Sequence, residues 1–147
     1  MKGQCYICPW QAGSLLTTSF RKLIHNPRRI LSPYLSNGTA AIDVGCGNIL
    51  PHQCEPVSLR LEEWYGKADF ALVFWMLHEV PDSERLIREI FSALKESGKL
   101  LFVEPKGHVK ASAFDKSLDM ITAAGFEKTA NPKIAFSRAA LMKKRGG

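Results

Sequence analysis

Apolar positions recur at helical spacing over residues 14–35, where Leu15, Leu16, Phe20, Leu23 and Ile24 share one face. Asn26-Pro27 closes that face and opens a second short helix, with Asn26 as N-cap and Pro27 in its first turn. Ser36-Asn37-Gly38 marks a turn. The period then changes. Thr39 to Val44 is a short β run that stops at Gly45 and Gly47, and Ala68 to Trp75 has the length of a buried strand. Pro81-Asp82-Ser83 announces a helix, with Asp82 as N-cap and Glu84 favouring the helix dipole in the first turn. Its apolar face is Leu86, Ile87, Ile90, Phe91 and Leu94, and Gly98 is placed to end it as the left-handed C′ residue. Leu100 to Val103 reads as a third strand, stopped before Pro105. Ser112 caps the next predicted helix, with Phe114, Leu118 and Ile121 inward and Gly125 at its end. Phe126–Thr129 and Ile134–Leu141 read as strands around Asn131-Pro132, the one antiparallel hairpin expected. Strands alternating with helices of this length predict an α/β fold, a mostly parallel sheet covered on both faces.

Composition narrows the class. The chain has 147 residues, room for one full domain, read as a helical cap over 1–36 and an α/β domain over 37–147. With 46% hydrophobic and 23% charged residues, it is neither a disordered chain nor a coiled coil. No apolar run reaches the ~20 residues that span a bilayer. Cys5, Cys8 and Pro9 interrupt what would be a signal-peptide core, so a cytoplasmic protein with reduced thiols is expected. The formal net charge of +6 favours acidic partners without naming nucleic acid.

The sharpest chemical signal is Ile42-Asp43-Val44-Gly45-Cys46-Gly47. A strand ending in Asp-x-Gly-x-Gly lets a ligand lie against bare backbone, because glycine has no Cβ to block it. In open parallel sheets ligands sit beyond the carboxyl ends of the strands. Two further segments follow in order: Ala68 to Trp75 with Met76-Leu77-His78-Glu79-Val80-Pro81-Asp82, and Ser97-Gly98-Lys99 running into Leu100 to Pro105. Together with the closing hairpin, residues 37–147 resemble the class I S-adenosylmethionine (SAM) dependent methyltransferases of the microbial type 11 kind. Cys8-Pro9-Trp10 and the helices to residue 35 resemble an added cap in a subgroup of that family.

The resemblance implies a Rossmann-like sheet with helices on both faces, SAM as cofactor and a small-molecule acceptor. It implies that Gly45, Cys46 and Gly47 approach the amino-acid end of SAM and that Asp43 orients that end. Glu55 resembles the acidic position that meets the adenine amine, and Phe74, Trp75 and Met76 resemble the rim beside the methyl donor. One lobe of the family pattern has no counterpart: the first crossover helix, the second strand with its ribose-binding acid, and the next helix. The chain passes from Gly47 into Asn48 to Glu55, which resembles the family's third strand. Glu62 and Glu63 lie at a tempting distance, but Leu59, Leu61 and Trp64 around them read as an amphipathic segment before the next strand. A parallel crossover needs about a dozen residues or more, and stripping the covering helices would bare an apolar sheet. Either the protein lacks that lobe or residues are missing at or near Gly47–Asn48, and the crossover length and the bared sheet favour the second.

Transfer from a sulfonium needs alignment and exclusion of water, and a base only where the acceptor keeps its proton. His78 and Glu79 are the candidate catalytic residues, and His108 lies where it could line the same mouth. Cys5-x-x-Cys8 could supply half of a zinc site or a redox pair, but no second pair follows, and no metal site is assigned. Two readings of other classes stand beside the enzyme. One is a methyltransferase-fold binding protein without catalysis. The other is a nucleic-acid-binding module built on Arg21, Lys22, Arg28, Arg29 and the tail Lys143-Lys144-Arg145, charges more often found on solvated faces and frayed termini. The homo-oligomeric state is open.

Overall fold

The computed structural model describes residues 24–44 and 59–146. Element order is α1 (Pro27–Leu31), β1 (Ala41–Val44), β2 (Ala68–Phe74), α2 (Ser83–Ala93), β3 (Leu94–Pro105), α3 (Ala111–Ala123), β4 (Phe126–Ala130) and β5 (Ser137–Lys144). Short 3-10 turns, Glu62–Trp64 and Leu77–Glu79, flank β2. The strands form one sheet in the order β1-β2-β3-β5-β4. β1, β2 and β3 run parallel, and β5 runs antiparallel to both β3 and β4.

Each face of the sheet has its own core. Ala71, Val73, Leu100, Phe102, Ala140 and Met142 meet Leu86, Ile87 and Ile90 of α2 and Phe114 and Ile121 of α3. Phe102 stacks on Phe114 at 5.1 Å between ring centroids. On the opposite face Phe70, Leu101, Val103, Ala139 and Leu141 meet Ile30, Leu31, Tyr34 and Leu35. The alternation of Leu100 to Val103 between the two clusters is the period-2 geometry of a strand buried on both sides.

Several expected signals act as predicted. The Asn26 side chain accepts from the Arg28 and Arg29 N–H groups, with Pro27 at the helix start. The Asp82 side chain accepts from the Arg85 N–H at 2.9 Å. Gly125 takes φ 111 just after α3, and a Cβ there would lie 2.7 Å from the Phe91 ring. Other signals are corrected. α2 stops at Ala93 because Leu94 already turns extended and pairs with Ala68. Ser97, with φ 63, makes the left-handed turn that was expected at Gly98. Gly98 is required for space instead, since a Cβ would sit 2.8 Å from the Lys95 carbonyl oxygen. α3 starts at Ala111 with Lys110 as its N-cap, two residues before the expected Ser112 cap, and Ile134 is buried ahead of a strand that begins only at Ser137.

The first helical stretch before Ile24, Cys5, Cys8, Trp10, the glycines of the motif, Glu55 and the expected interruption at Gly47–Asn48 lie outside the described residues. Within them, β1 pairs directly with β2. Residues 45–67 between these strands exceed the dozen or so that a parallel crossover needs, so the β1-to-β2 connection itself requires no omitted residues. No helix among the described residues is long and apolar enough to cross a membrane.

The basic tail is not frayed. Lys144 Nζ donates to the Phe91 and Leu94 carbonyls at 2.7 and 2.8 Å and sits 4.3 Å from the centre of the Phe91 ring. Arg145 donates to the Thr122 and Gly125 carbonyls at 3.1 and 3.3 Å. Both cations thus bond carbonyls at or just after the ends of α2 and α3, where the dipole favours positive charge. Lys144→Met keeps the stem and removes both bonds. It is expected to lower unfolding free energy by about 2 kcal/mol, read by urea denaturation as a lower midpoint with an unchanged slope.

Candidate functional site

The carboxyl ends of β1, β2 and β3 and the amino end of β5 form one rim. Asp43 and Val44 pair with Leu72 and Val73, so the end of β1 lies beside the last residues of β2. Phe74 pairs with Val103, and Pro105 pairs with Ser137. Asp43 stands at an exposed position of β1, the edge of the sheet among the described residues, yet desolvation by the protein around the strand end pushes its carboxyl above the usual carboxylate range.

Trp75 bends the chain as it leaves β2. Its φ of 59 is left-handed, rare for a bulky side chain and worth about 1–3 kcal/mol of strain. The turn sends neighbouring residues to opposite faces: Phe74 and Trp75 pack on the α1 side, Met76 and Leu77 on the α2 and α3 side. Trp75 is held in place by several contacts. Its N–H donates to the Val103 carbonyl at 2.8 Å, and its indole N–H donates to the Ser137 hydroxyl at 3.0 Å. That hydroxyl in turn donates to the Ala135 carbonyl, which also meets Nε2 of the buried His25 at 2.8 Å. The His25 ring packs edge-on to Phe74 and Trp75 at 5.4 and 4.8 Å.

After this bend the Leu77–Glu79 turn carries His78 over the end of β3. Its Nδ1 lies 2.6 Å from Oε2 of Glu104, and its backbone N–H donates to Oε1 at 3.2 Å. Glu104 is only 1% exposed. Burial pushes its carboxyl above the ordinary glutamate value, while the neighbouring His78 ring and the Leu77 and His78 N–H groups pull it down. The backbone at His78 is open while its side chain is largely covered, 18% exposed. Nε2 lies 3.8 Å from the Glu79 carboxylate, which faces solvent. The His108 ring stands 4.9 Å from the His78 ring.

Of the expected site residues, Asp43, Phe74, Trp75, Met76, His78 and Glu79 therefore share this rim, whereas Gly45, Cys46, Gly47 and Glu55 lie outside the described residues. Glu62 and Glu63 precede β2, at the amino end of the strands, opposite the rim. The sequence reading missed Glu104 as a functional group. The available signal was an acid directly after the apolar run Leu100 to Val103, where a strand emerging from the core carries its next residue into a buried position. Arg138 pairs across from Glu104, and its guanidinium donates to the Val109 carbonyl at 3.0 Å and the Lys106 carbonyl at 3.4 Å.

Three parallel strands followed by an antiparallel pair, with the long last strand inserted beside β3, define a Rossmann-like class I methyltransferase fold. The chain is similar to a SAM-dependent methyltransferase from Aquifex aeolicus, with a TM-score of 0.74, 13% identity, and coverage of 88% of this chain and 95% of that one. It is similar to a SAM-dependent methyltransferase from Methanosarcina mazei, with a TM-score of 0.60, 17% identity, and coverage of 79% and 97%. Likeness also extends to the cyclase SpnF, with a TM-score of 0.51 and 17% identity over 65% of this chain, which spans 57% of SpnF. No family model and no curated protein matches the sequence. At these identities the likeness establishes the fold.

Glu104 supplies a pH signature. A carboxyl whose folded-state pKa is raised favours the folded state fully below the ordinary glutamate range, and that contribution is lost as pH rises through the folded value. The stability of the protein relative to Glu104→Gln is therefore expected to fall as pH rises from about 4. Urea denaturation of both proteins between pH 4 and 8 checks this. A difference that stays flat or grows with pH would contradict the buried-carboxylate assignment.

Proposed function

We propose that this protein is a SAM-dependent methyltransferase acting on a small-molecule acceptor. The observation that supports it best is the convergence of Asp43, His78, Glu79 and Glu104 on one rim of a methyltransferase-ordered sheet. The residues fit the donor. A carboxylate disfavoured by desolvation, as Asp43 is, gains from a cationic partner such as the ammonium of an amino-acid moiety. Gly45, Cys46 and Gly47, directly after Asp43, would give that moiety bare backbone to lie against, and Glu55 would meet the adenine amine.

SAM, when bound, supplies a methyl group already activated on a sulfonium. The chain has to align the acceptor, exclude water and receive a proton. Trp75 and Met76 would wall the rim, with Phe74 holding Trp75 from beneath through the His25 contact. His78 would take the proton and Glu79 would hold the charge that forms on it. We place the protein in the cytoplasm, which suits four cysteines kept reduced.

The nucleic-acid reading loses support from the tail, because Lys144 and Arg145 are engaged as helix caps. Titration calorimetry with S-adenosylhomocysteine is expected to give saturable heat that Asp43→Asn weakens at least tenfold. His78→Ala is expected to leave that affinity within about threefold while lowering turnover by about 10²–10⁴. No heat and no thermal shift at saturating ligand would favour the non-catalytic binding protein.

A further inference from the structure

Glu104 uses both carboxylate oxygens on one residue. Oε1 accepts from the His78 backbone N–H and Oε2 meets Nδ1 of the same residue. Once Glu104 is ionised its carboxylate only accepts hydrogen bonds, and Nδ1 then carries the hydrogen in the contact. In the neutral imidazole, Nε2 is then the bare nitrogen. It lies on the side of solvent-facing Glu79, 3.8 Å away, beyond hydrogen-bond distance. The groups that face His78 are Glu104 from β3, Glu79 from its own turn and His108 from the loop after β3. Arg138 on β5 is directed to loop carbonyls. Among the described residues no three His, Cys, Asp or Glu side chains gather closely enough to hold a metal ion.

We infer that Glu104 is a positioning residue that fixes His78 with Nδ1 protonated and Nε2 bare, and that the acceptor is accordingly a protic one, a phenol or an ammonium. This rests on the methyltransferase reading. An imidazole near neutral pH can take a proton from groups whose pKa lies near 10, such as phenols and alkylammonium ions. A thioether has no proton to give and would need no such base. In the step, the acceptor's proton leaves toward Nε2, and the electron pair that this frees on a phenol oxygen or an amine nitrogen forms the new bond to the methyl carbon as the methyl–sulfur bond breaks, with that bond's electron pair staying on sulfur. The imidazolium then lies between two carboxylates, Glu104 and Glu79, and releases its proton on the solvent side.

The experiment pairs a tautomer measurement with an acceptor panel. Long-range proton–nitrogen NMR of labelled protein, read on the neutral imidazole signals, is expected to show Nδ1–H at His78 in the wild type. Glu104→Leu is expected to shift His78 to Nε2–H, and Glu104→Asp to restore Nδ1–H at least in part. Circular dichroism melts confirm that each variant folds. With labelled SAM and a panel of small phenols, alkylamines and thioethers, transfer to a phenol or an amine is expected. Glu104→Leu should reduce kcat tenfold or more with KM within about threefold. A wild-type Nε2–H tautomer, or a tautomer unchanged in Glu104→Leu, overturns the positioning role. Transfer to thioethers alone, or to no member of the panel while S-adenosylhomocysteine binds, overturns the acceptor class. Failure of S-adenosylhomocysteine to bind defeats the methyltransferase reading instead, and the NMR result still decides the role of Glu104.

Discussion

β3 can exist only with neighbours on both edges and cover on both faces. From Leu100 to Glu104 every residue is buried, and alternate side chains enter different cores. Its backbone groups are satisfied by β2 on one side and β5 on the other, since a bare ladder at that depth would leave buried amides without partners. The two helices after β2 and β3, and the segment carrying α1, follow from the same demand. Strand order and layering are therefore consequences of one apolar run too long and too uniform to tolerate water.

The rim inherits its chemistry from that run. Glu104 continues the strand by one residue, so it arrives where the core has already removed solvent. A carboxylate there needs nearby donors. The turn after β2 supplies them, with the His78 N–H and ring, and the left-handed bend at Trp75 brings that turn within reach. The strain at Trp75 is offset by the indole–Ser137 bond and the packing against His25. Core, bend and dyad are thus linked, and each limits how far the next can move.

Much of this could be read from the chain because local signals and tertiary demands agree. Asn26, Asp82 and Gly125 each act where capping chemistry places them, and alternation of strand and helix patterns led to the parallel sheet and its antiparallel close. The misreadings occurred where tertiary pairing outranks a local preference. Gly98 carries the usual signature of a helix stop, yet β2 captures the chain four residues earlier at Leu94, so the left-handed turn falls on Ser97. Lys144 and Arg145 look like a solvated tail because nothing local reveals that the ends of α2 and α3 come to meet them. Glu104 escaped notice as a functional group for a similar reason, since its partner lies 26 residues away and no spacing rule links them.

A buried acid of this kind is a poor choice for stability alone. An apolar residue of similar size at position 104 would extend the core without the penalty that raises the carboxyl's pKa. Stability also gives no reason for the carboxylate to engage a histidine whose other nitrogen lies beside the solvent-facing Glu79, because a backbone donor would satisfy it as well. The combination makes sense when the histidine must be held in one tautomer and must carry a positive charge for a moment. The carboxylate then stabilises the charge that the proposed step would place on the ring. Sites whose local arrangement works against the resting fold in this way are where function is most often found.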